Sequence, residues 1–147
     1  MYEILKGLDC SGYVGWSIYN TLETKSNHGN GYVLKAEEMT KTFANMKLES
    51  YKDSIQNAKP GNIVSMTNAH VYIVLAVCED GSLLIAHSSP PGVKISGTYD
   101  QNGNSNSQAV VYAKKIMKTY YPDWYSRYPD CTVDFSFTEP SNVSLFQ

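Results

Sequence analysis

The chain has 147 residues, of which 42% are hydrophobic and 18% charged, and its formal net charge is −2. These values are typical of one globular domain, and a weakly acidic chain without a basic cluster is not expected to bind nucleic acid. No apolar run approaches the ~20 residues of a membrane span, and the first residues lack the pattern of a signal peptide. Because the first candidate functional motif begins as early as Asp9, we expect the chain to be a piece of a longer protein.

The first third of the chain favours helices. Apolar residues recur every four positions after Cys10, which predicts a helix over Ser11–Leu22 with one apolar face. The polar, glycine-containing segment Lys25–Gly31 predicts a loop. A second helix is expected over Lys35–Met46.

The central part predicts antiparallel strands. Ile63–Met66 begins a strand, and His70–Val77 alternates with two largely apolar faces, which is typical of a central strand. Asp80-Gly81 is a hairpin turn signal, so Leu83–Ser88 is the expected partner strand. A further strand is expected over Val93–Ser96.

The last third predicts a helix and a strand. The polar composition of Tyr99–Ser107 predicts a flexible loop. Apolar residues along one side of Ala109–Tyr121 predict a helix. Alternation over Cys131–Phe137 predicts a last strand. Helices, then a mostly antiparallel sheet, then a helix indicate the α+β class.

Cys10 stands at the predicted start of the first helix, where a thiol is well placed to act as a nucleophile. A free thiol titrates at about 8.5, so little of it is the reactive thiolate at neutral pH. The unpaired N–H groups and the dipole of a helix N-terminus favour the thiolate. Asp9 and Ser11 flank Cys10 with capping chemistry. We therefore expect Cys10 to be a catalytic nucleophile.

Two histidines are expected on one face of the sheet. His70 opens the central strand, and His87 lies in its hairpin partner. A four-residue connection over Cys78–Gly81 would place His87 opposite Tyr72. The two histidine rings would then be diagonal neighbours, whereas a one-residue slip would separate them. We predict that His87 orients His70, which then acts as the base toward Cys10.

These segments resemble the NlpC-type cysteine peptidases of bacterial cell walls in order and spacing, over roughly residues 7 to 96. The matching pieces are Leu8–Val14, Pro60–Val64, His70–Ile73, Leu84–Ser89 and Gly92–Ser96. The resemblance implies a papain-like α+β fold with the nucleophile at the N-terminus of a helix packed on an antiparallel sheet. It implies a single peptidase domain over residues 1–147, with no metal and no other cofactor.

The resemblance also implies a role for each matched residue. Cys10 is implied as the nucleophile, His70 as the base and His87 as the third, orienting residue, while Asp9 and Ser11 line the substrate cleft. The family cleaves amide bonds in peptidoglycan stem peptides, often between γ-D-glutamate and a diamino acid. The implied partner is thus a peptidoglycan peptide, and the implied location is extracellular or in the cell wall.

Three features depart from the family pattern. Asn62 replaces an Asp that commonly follows Pro-Gly, and Tyr72 replaces a Gly that commonly follows His-Val. We expect Tyr72 to narrow the cleft and therefore to contact substrate. Only nine residues precede Cys10, so Tyr2 is the candidate for a tyrosine that the family carries farther upstream.

Other assignments of the same residues stay open. A thiol amidase or acyltransferase would share Cys10, His70 and His87 and differ in the shape of its cleft. A non-catalytic cell-wall binding module would keep the fold without needing all three residues. A zinc site formed by the three is less favoured, because no close ligand pair such as Cys-x-x-Cys is present.

The remaining notable residues have structural interpretations. Cys78 and Cys131 are expected to be inert buried thiols, with a disulfide between them as the alternative. Asp80 is expected to serve the turn, and His28 to lie on the surface. The aromatic residues between 120 and 128 predict a helix end packed on the core, with a sugar- or peptide-binding surface as the alternative.

Overall fold

The computed structural model describes residues 9–22, 34–45, 51–52, 57–66, 70–134 and 143–146. The helices are α1 (Cys10–Leu22), α2 (Met39–Asn45), α3 (Gln108–Tyr120) and α4 (Pro122–Arg127), and a 3-10 helix covers Ala36–Glu38. The strands are β1 (Tyr51–Lys52), β2 (Ile63–Met66), β3 (His70–Val77), β4 (Leu83–Ser89), β5 (Gly92–Thr98), β6 (Val133–Asp134) and β7 (Val143–Phe146). The protein is therefore mixed α+β, as predicted.

The described strands form one sheet in the order β1-β7-β2-β3-β4-β5-β6. Neighbouring strands are antiparallel, except that β6 runs parallel to β5. The predicted β3–β4 hairpin is confirmed. The strand expected over Val93–Ser96 is also present, as β5, and it forms a second hairpin with β4. β3 lies in the middle of the sheet, so a residue at its start has neighbours on both sides.

Apolar side chains are buried on both faces of this sheet. On one face α1 and α2 pack against β2 and β3, with Val14, Met39, Phe43, Ile63 and Val71 buried together. The other face carries a second buried cluster of Val64, Met66, Tyr72, Val74, Leu83 and Ile85. Because side chains alternate along a strand, β3 supplies both clusters, and α1 is held against the strand that begins at His70.

α3 packs closely on β5 and is tied to the β3–β4 connection. At Gly97 an added Cβ would lie 2.1 Å from the backbone nitrogen of Val110, so only glycine fits there. The Ser107 hydroxyl caps α3 by accepting the Val110 N–H at 3.2 Å. The Asp80 carboxylate accepts the Gln108 N–H at 2.8 Å. Asp80 therefore has the structural role that its turn position predicted.

Several expectations differ from the structure. The helix predicted over 35–46 is a 3-10 helix followed by α2, and α4 was not predicted. Tyr120 and Tyr121 are 72% and 55% exposed, so the prediction that this aromatic segment packs on the core is wrong for both. Cys78 and Cys131 are free and half-buried rather than buried. The expectations for Tyr2, His28 and the loop at 25–31 lie outside the described residues.

None of the helices in the described ranges has both the length and the apolarity that crossing a membrane requires.

Candidate active site

Cys10 is the first residue of α1, and Asp9 caps the helix. The Asp9 carboxylate accepts the Gly12 N–H at 2.6 Å and the Ser11 hydroxyl at 3.2 Å. The Asp9 carbonyl accepts the Tyr13 N–H at 2.9 Å. These bonds fix the first turn of the helix and place the thiol at the positive end of its dipole. The predicted capping role of Asp9 is confirmed.

The surroundings of the Cys10 sulfur favour the thiolate. A hydrogen bond from His70 lowers the pKa of this thiol, while burial opposes the shift. The charge of His70 and the backbone N–H groups of Val71 and Ser11 lower the pKa further. The side chain is half-buried, so the sulfur is both polarised by its neighbours and partly open to solvent.

His70 and His87 are in direct contact, as predicted. Nε2 of His70 lies 2.9 Å from Nδ1 of His87. The two rings meet edge to face, with their centroids 5.1 Å apart. Because Nε2 of His70 faces His87, Nδ1 of the same ring is left for the Cys10 sulfur. The structure therefore brings together the three residues that were predicted as a catalytic group.

The register that joins the histidines is the predicted one, but it arises in another way. The β3–β4 connection covers Cys78–Ser82, one residue more than expected. The ladder shifts by one residue at Leu75, which forms a β-bulge and takes up the difference. Beyond the bulge, Ile73 lies opposite Ala86, which is the register in which Tyr72 comes next to His87, and both histidines lie on one face.

Asp134 on β6 is a fourth member of the site that the sequence analysis missed. Its Oδ2 lies 3.2 Å from Nδ1 of His87 and 3.6 Å from Nε2 of His70. Its side chain is 11% exposed. The residue reaches the site because β6 pairs in parallel with β5, where Thr98 is its partner. The alternation over Cys131–Phe137 was the available signal, but it could not identify the partner strand.

Two further polar residues lie next to His87 on the same face of the sheet. His87 is buried, and its Nε2 lies 2.9 Å from the Ser96 hydroxyl oxygen. Lys94 pairs with His87 across the ladder and is also buried. Its ammonium donates to the Ser89 carbonyl at 2.7 Å, the Ser89 hydroxyl at 2.6 Å and the Pro90 carbonyl at 3.1 Å. The alternation of β5 opposite His87 was a signal that could have identified Ser96 and Lys94.

The two histidines have pKa shifts of opposite sign. Burial lowers the pKa of His70, but the Asp134 carboxylate and Cys10 outweigh it and raise the pKa to about 9. Burial lowers the pKa of His87 to about 4; the Asp134 charge opposes this shift, and nearby positive charges, first that of His70, add to it. At neutral pH His70 is therefore an imidazolium. Its Nε2–H donates to Nδ1 of the neutral His87, which in turn donates its Nε2–H to Ser96.

The expectation that Tyr72 contacts substrate is wrong. Its side chain is 0% exposed and belongs to the core cluster with Val74 and Ile85. The reason is its place in the ladder: it shares a face with His70 but lies farther inside the sheet. Burial, and after it the Asp134 charge, raises the pKa of the phenol.

Asp9 and Ser11 lie beside Cys10 at the start of α1, exposed and half-buried respectively. This position is open to a substrate at the sulfur, and their contact with substrate stays a prediction.

One group of residues in the described part of the chain has donor atoms that could meet at a metal ion. It consists of His70, His87 and Asp134, whose donor atoms all lie within 4.8 Å of one another. Cys10 does not belong to this group. The zinc ligand set weighed from the sequence, Cys10 with both histidines, is therefore not the set that the fold gathers.

No family model matches the chain, and neither a curated protein nor a solved structure matches it.

Proposed function

We propose that this protein is a thiol-dependent amide hydrolase in which Cys10 is the nucleophile, His70 the acid–base group and His87 the residue that orients His70. The observation that carries the proposal is the hydrogen-bonded series from Cys10 through His70 to His87. A thiol nucleophile needs an adjacent base, and the base needs a third group that fixes its orientation. The series supplies one residue for each of the three roles: nucleophile, base and orienting group.

The reaction follows from this arrangement. The Cys10 thiolate attacks the amide carbon, and backbone N–H groups at the start of α1 stabilise the oxyanion. The carbon–nitrogen bond breaks as Nδ1–H of His70 gives its proton to the departing amine, which leaves a thioester on Cys10. Water then gives a proton to the neutral His70 and attacks the thioester. The acid product leaves, and the thiolate and imidazolium are restored.

Asp134 has a supporting part in this proposal. Its carboxylate lies close to the imidazolium of His70 and stabilises the positive charge that accompanies the thiolate. His87 accepts the Nε2–H of His70 and thereby directs Nδ1–H toward Cys10.

The substrate proposal is more specific and rests on the motifs. The NlpC-type pieces around Cys10, His70 and His87 support a papain-like fold and a peptidoglycan stem peptide as substrate. The expected bond is that between γ-D-glutamate and a diamino acid, and the expected location is the cell wall or the extracellular space.

Digestion of purified peptidoglycan and of defined stem peptides, with mass detection of the fragments, tests this proposal. We expect endopeptidase products from the wild type and none from Cys10→Ala. Cys78→Ala is the matched control, because it removes another half-buried thiol and should retain activity. Iodoacetamide at pH 6 should label Cys10 faster than Cys78 or Cys131.

Two results would contradict the mechanism: equal hydrolysis by Cys10→Ala, or equal labelling of all three cysteines. If the products are those of an amidase or of acyl transfer, the endopeptidase assignment is wrong, but the role of Cys10 as the nucleophile stands.

A further inference from the structure

The cluster of His70, His87 and Asp134 has the donor atoms and the spacing of a metal site. Two imidazole nitrogens and one carboxylate oxygen lie 2.9, 3.2 and 3.6 Å from one another. Zinc bonds histidine nitrogen at about 2.0–2.1 Å and carboxylate oxygen at about 2.0–2.2 Å, so tetrahedral ligands are about 3.3 Å apart. A zinc ion therefore fits among the three atoms with small side-chain adjustments.

The surroundings also suit a bound ion. The side chains of His70, His87 and Asp134 are 19%, 1% and 11% exposed, so the cluster is enclosed but reachable from the His70 side. Nε2 of His87 is held by Ser96, which fixes Nδ1 toward the cluster. Histidine ligands of metals are commonly oriented in this way, by a hydrogen bond to the other ring nitrogen.

An unpartnered hydroxyl beside the cluster is a second, independent observation. The Tyr72 hydroxyl is buried and has no hydrogen-bond partner among the residues that the structure describes. The Tyr72 ring centroid lies 6.1 Å from that of His70, on the same face of the sheet. A buried hydroxyl without a partner calls for an explanation, such as a bound water or ion. The Asp134 charge also acts on this phenol, so the unpartnered hydroxyl and the cluster belong to one polar region of the core.

We propose that His70, His87 and Asp134 form a binding site for a divalent transition-metal ion, preferably zinc, and that the bound ion switches the hydrolase off. The ligand set favours zinc, because imidazole nitrogen suits it, whereas magnesium and calcium prefer ligands that are all oxygen. Binding replaces the proton between the two histidines, which is released to solvent. The inhibitory part rests on the proposed function, and the binding part does not.

The inhibition follows from the atom of His70 that the ion occupies. An ion on Nε2 holds the ring as a ligand, and the single proton left on Nδ1 is then needed to keep the imidazole neutral. The ring can no longer deliver that proton to the departing amine and recover it from water, so the acid–base step stops.

Zinc binding is measured directly in a chain without thiols, Cys10→Ser/Cys78→Ser/Cys131→Ser, by isothermal titration calorimetry with zinc chloride. We expect one zinc ion per chain and at least tenfold weaker binding after Asp134→Asn. Asp123→Asn is the matched control, since Asp123 is an exposed carboxylate on α4 and its change should leave binding unaltered. Circular dichroism establishes that each variant is folded.

If the thiol-free chain does not fold, Cys10→Ser alone is loaded with cobalt(II). Thiolate ligands give cobalt an intense charge-transfer absorption that nitrogen and oxygen ligands lack, so the spectrum separates this site from the remaining cysteines. The expected spectrum lacks the thiolate band and is lost after Asp134→Asn.

The outcomes are distinct for the two proposals. A folded variant without saturable zinc binding, or with equal binding after Asp134→Asn, overturns the site. Zinc binding that leaves wild-type hydrolysis unchanged overturns the switch, and so does inhibition that is equally strong after Asp134→Asn, because zinc can also bind the Cys10 thiolate. Inhibition that EDTA reverses and that Asp134→Asn weakens supports the switch. If the chain binds zinc but hydrolyses no substrate, the metal site stands and the proposed function is wrong. If it hydrolyses substrate but binds no zinc, the proposed function stands and the metal site is wrong.

Discussion

Asp134→Asn should lower the pH at which His70 loses its proton. The change keeps the size of the side chain and removes its charge, which lies 3.6 Å from Nε2 of His70. In the wild type the pKa of His70 is raised to about 9. The stability that this imidazolium contributes is therefore complete below the ordinary pKa of 6.5 and is lost as the pH rises through about 9. Without the carboxylate, that loss moves toward neutral pH.

The magnitude follows from the distance. Two unit charges 3.6 Å apart interact by about 1 kcal/mol in water and by about 5 kcal/mol at an effective dielectric constant of about 20. Since His70 is 19% exposed and Asp134 11% exposed, solvent screens part of this attraction. We therefore expect a downward shift of about 1–2 pKa units, or about 1.4–2.7 kcal/mol.

Two measurements in the presence of EDTA check this shift. The pKa read from the alkaline limb of the pH–activity profile should be about 1–2 units lower than in the wild type. The imidazole C–H signals in NMR spectra give the same pKa without relying on activity. Asp134→Asn should also cost more folding stability at pH 6 than at pH 9.5, because the imidazolium that it stabilises is present only at the lower pH. An alkaline limb and NMR titration equal to those of the wild type would refute the reasoning.

Two other predictions concern the scaffold. Gly97→Ala should lower the free energy of unfolding by about 3 kcal/mol or more in urea titrations, because the new Cβ would lie 2.1 Å from the Val110 backbone nitrogen; a loss below about 1 kcal/mol would show that α3 yields easily. Deletion of Leu75 should keep the preferential labelling of Cys10 at pH 6, because it removes the extra residue of the bulge and leaves both flanking pairings intact. Deletion of Val74 together with Leu75 is the control: it leaves the ladder one residue short and should abolish the preferential labelling of Cys10. The same preference for Cys10 in both deletion variants would contradict this explanation.

The residues that could be predicted from the sequence are those with a local signal. Cys10 has an Asp cap and an apolar helical face behind it, so its place at a helix start follows from neighbouring residues alone. His70 and His87 lie in adjacent strands of one hairpin, for which alternation fixes the face. Helix, hairpin and alternation are short-range patterns, and together they placed three of the side chains in the site.

Asp134 could not be predicted because its position depends on a long-range pairing. β6 joins β5 in parallel after α3 and α4 have intervened, and parallel partners have no turn between them that sets the register. The prediction that Tyr72 contacts substrate was wrong for a related reason. Alternation gave its face correctly, but whether that face is solvent or core is decided by side chains from β2 and β4.

The β3–β4 hairpin reaches the predicted register through two departures that cancel. Ser82 belongs to the connection rather than to β4: its hydroxyl donates to Asp80 at 2.5 Å and accepts the Ala109 N–H at 3.0 Å. With this longer connection, a regular ladder would set His87 opposite Ile73 and turn the two histidines to opposite faces. The bulge at Leu75 restores the pairing, so the contact with α3 is compatible with the histidine pair only because β3 carries one extra residue. The geometry between Cys10, His70 and His87 therefore depends on an irregularity that neither the turn signal nor the alternation of the strands reveals.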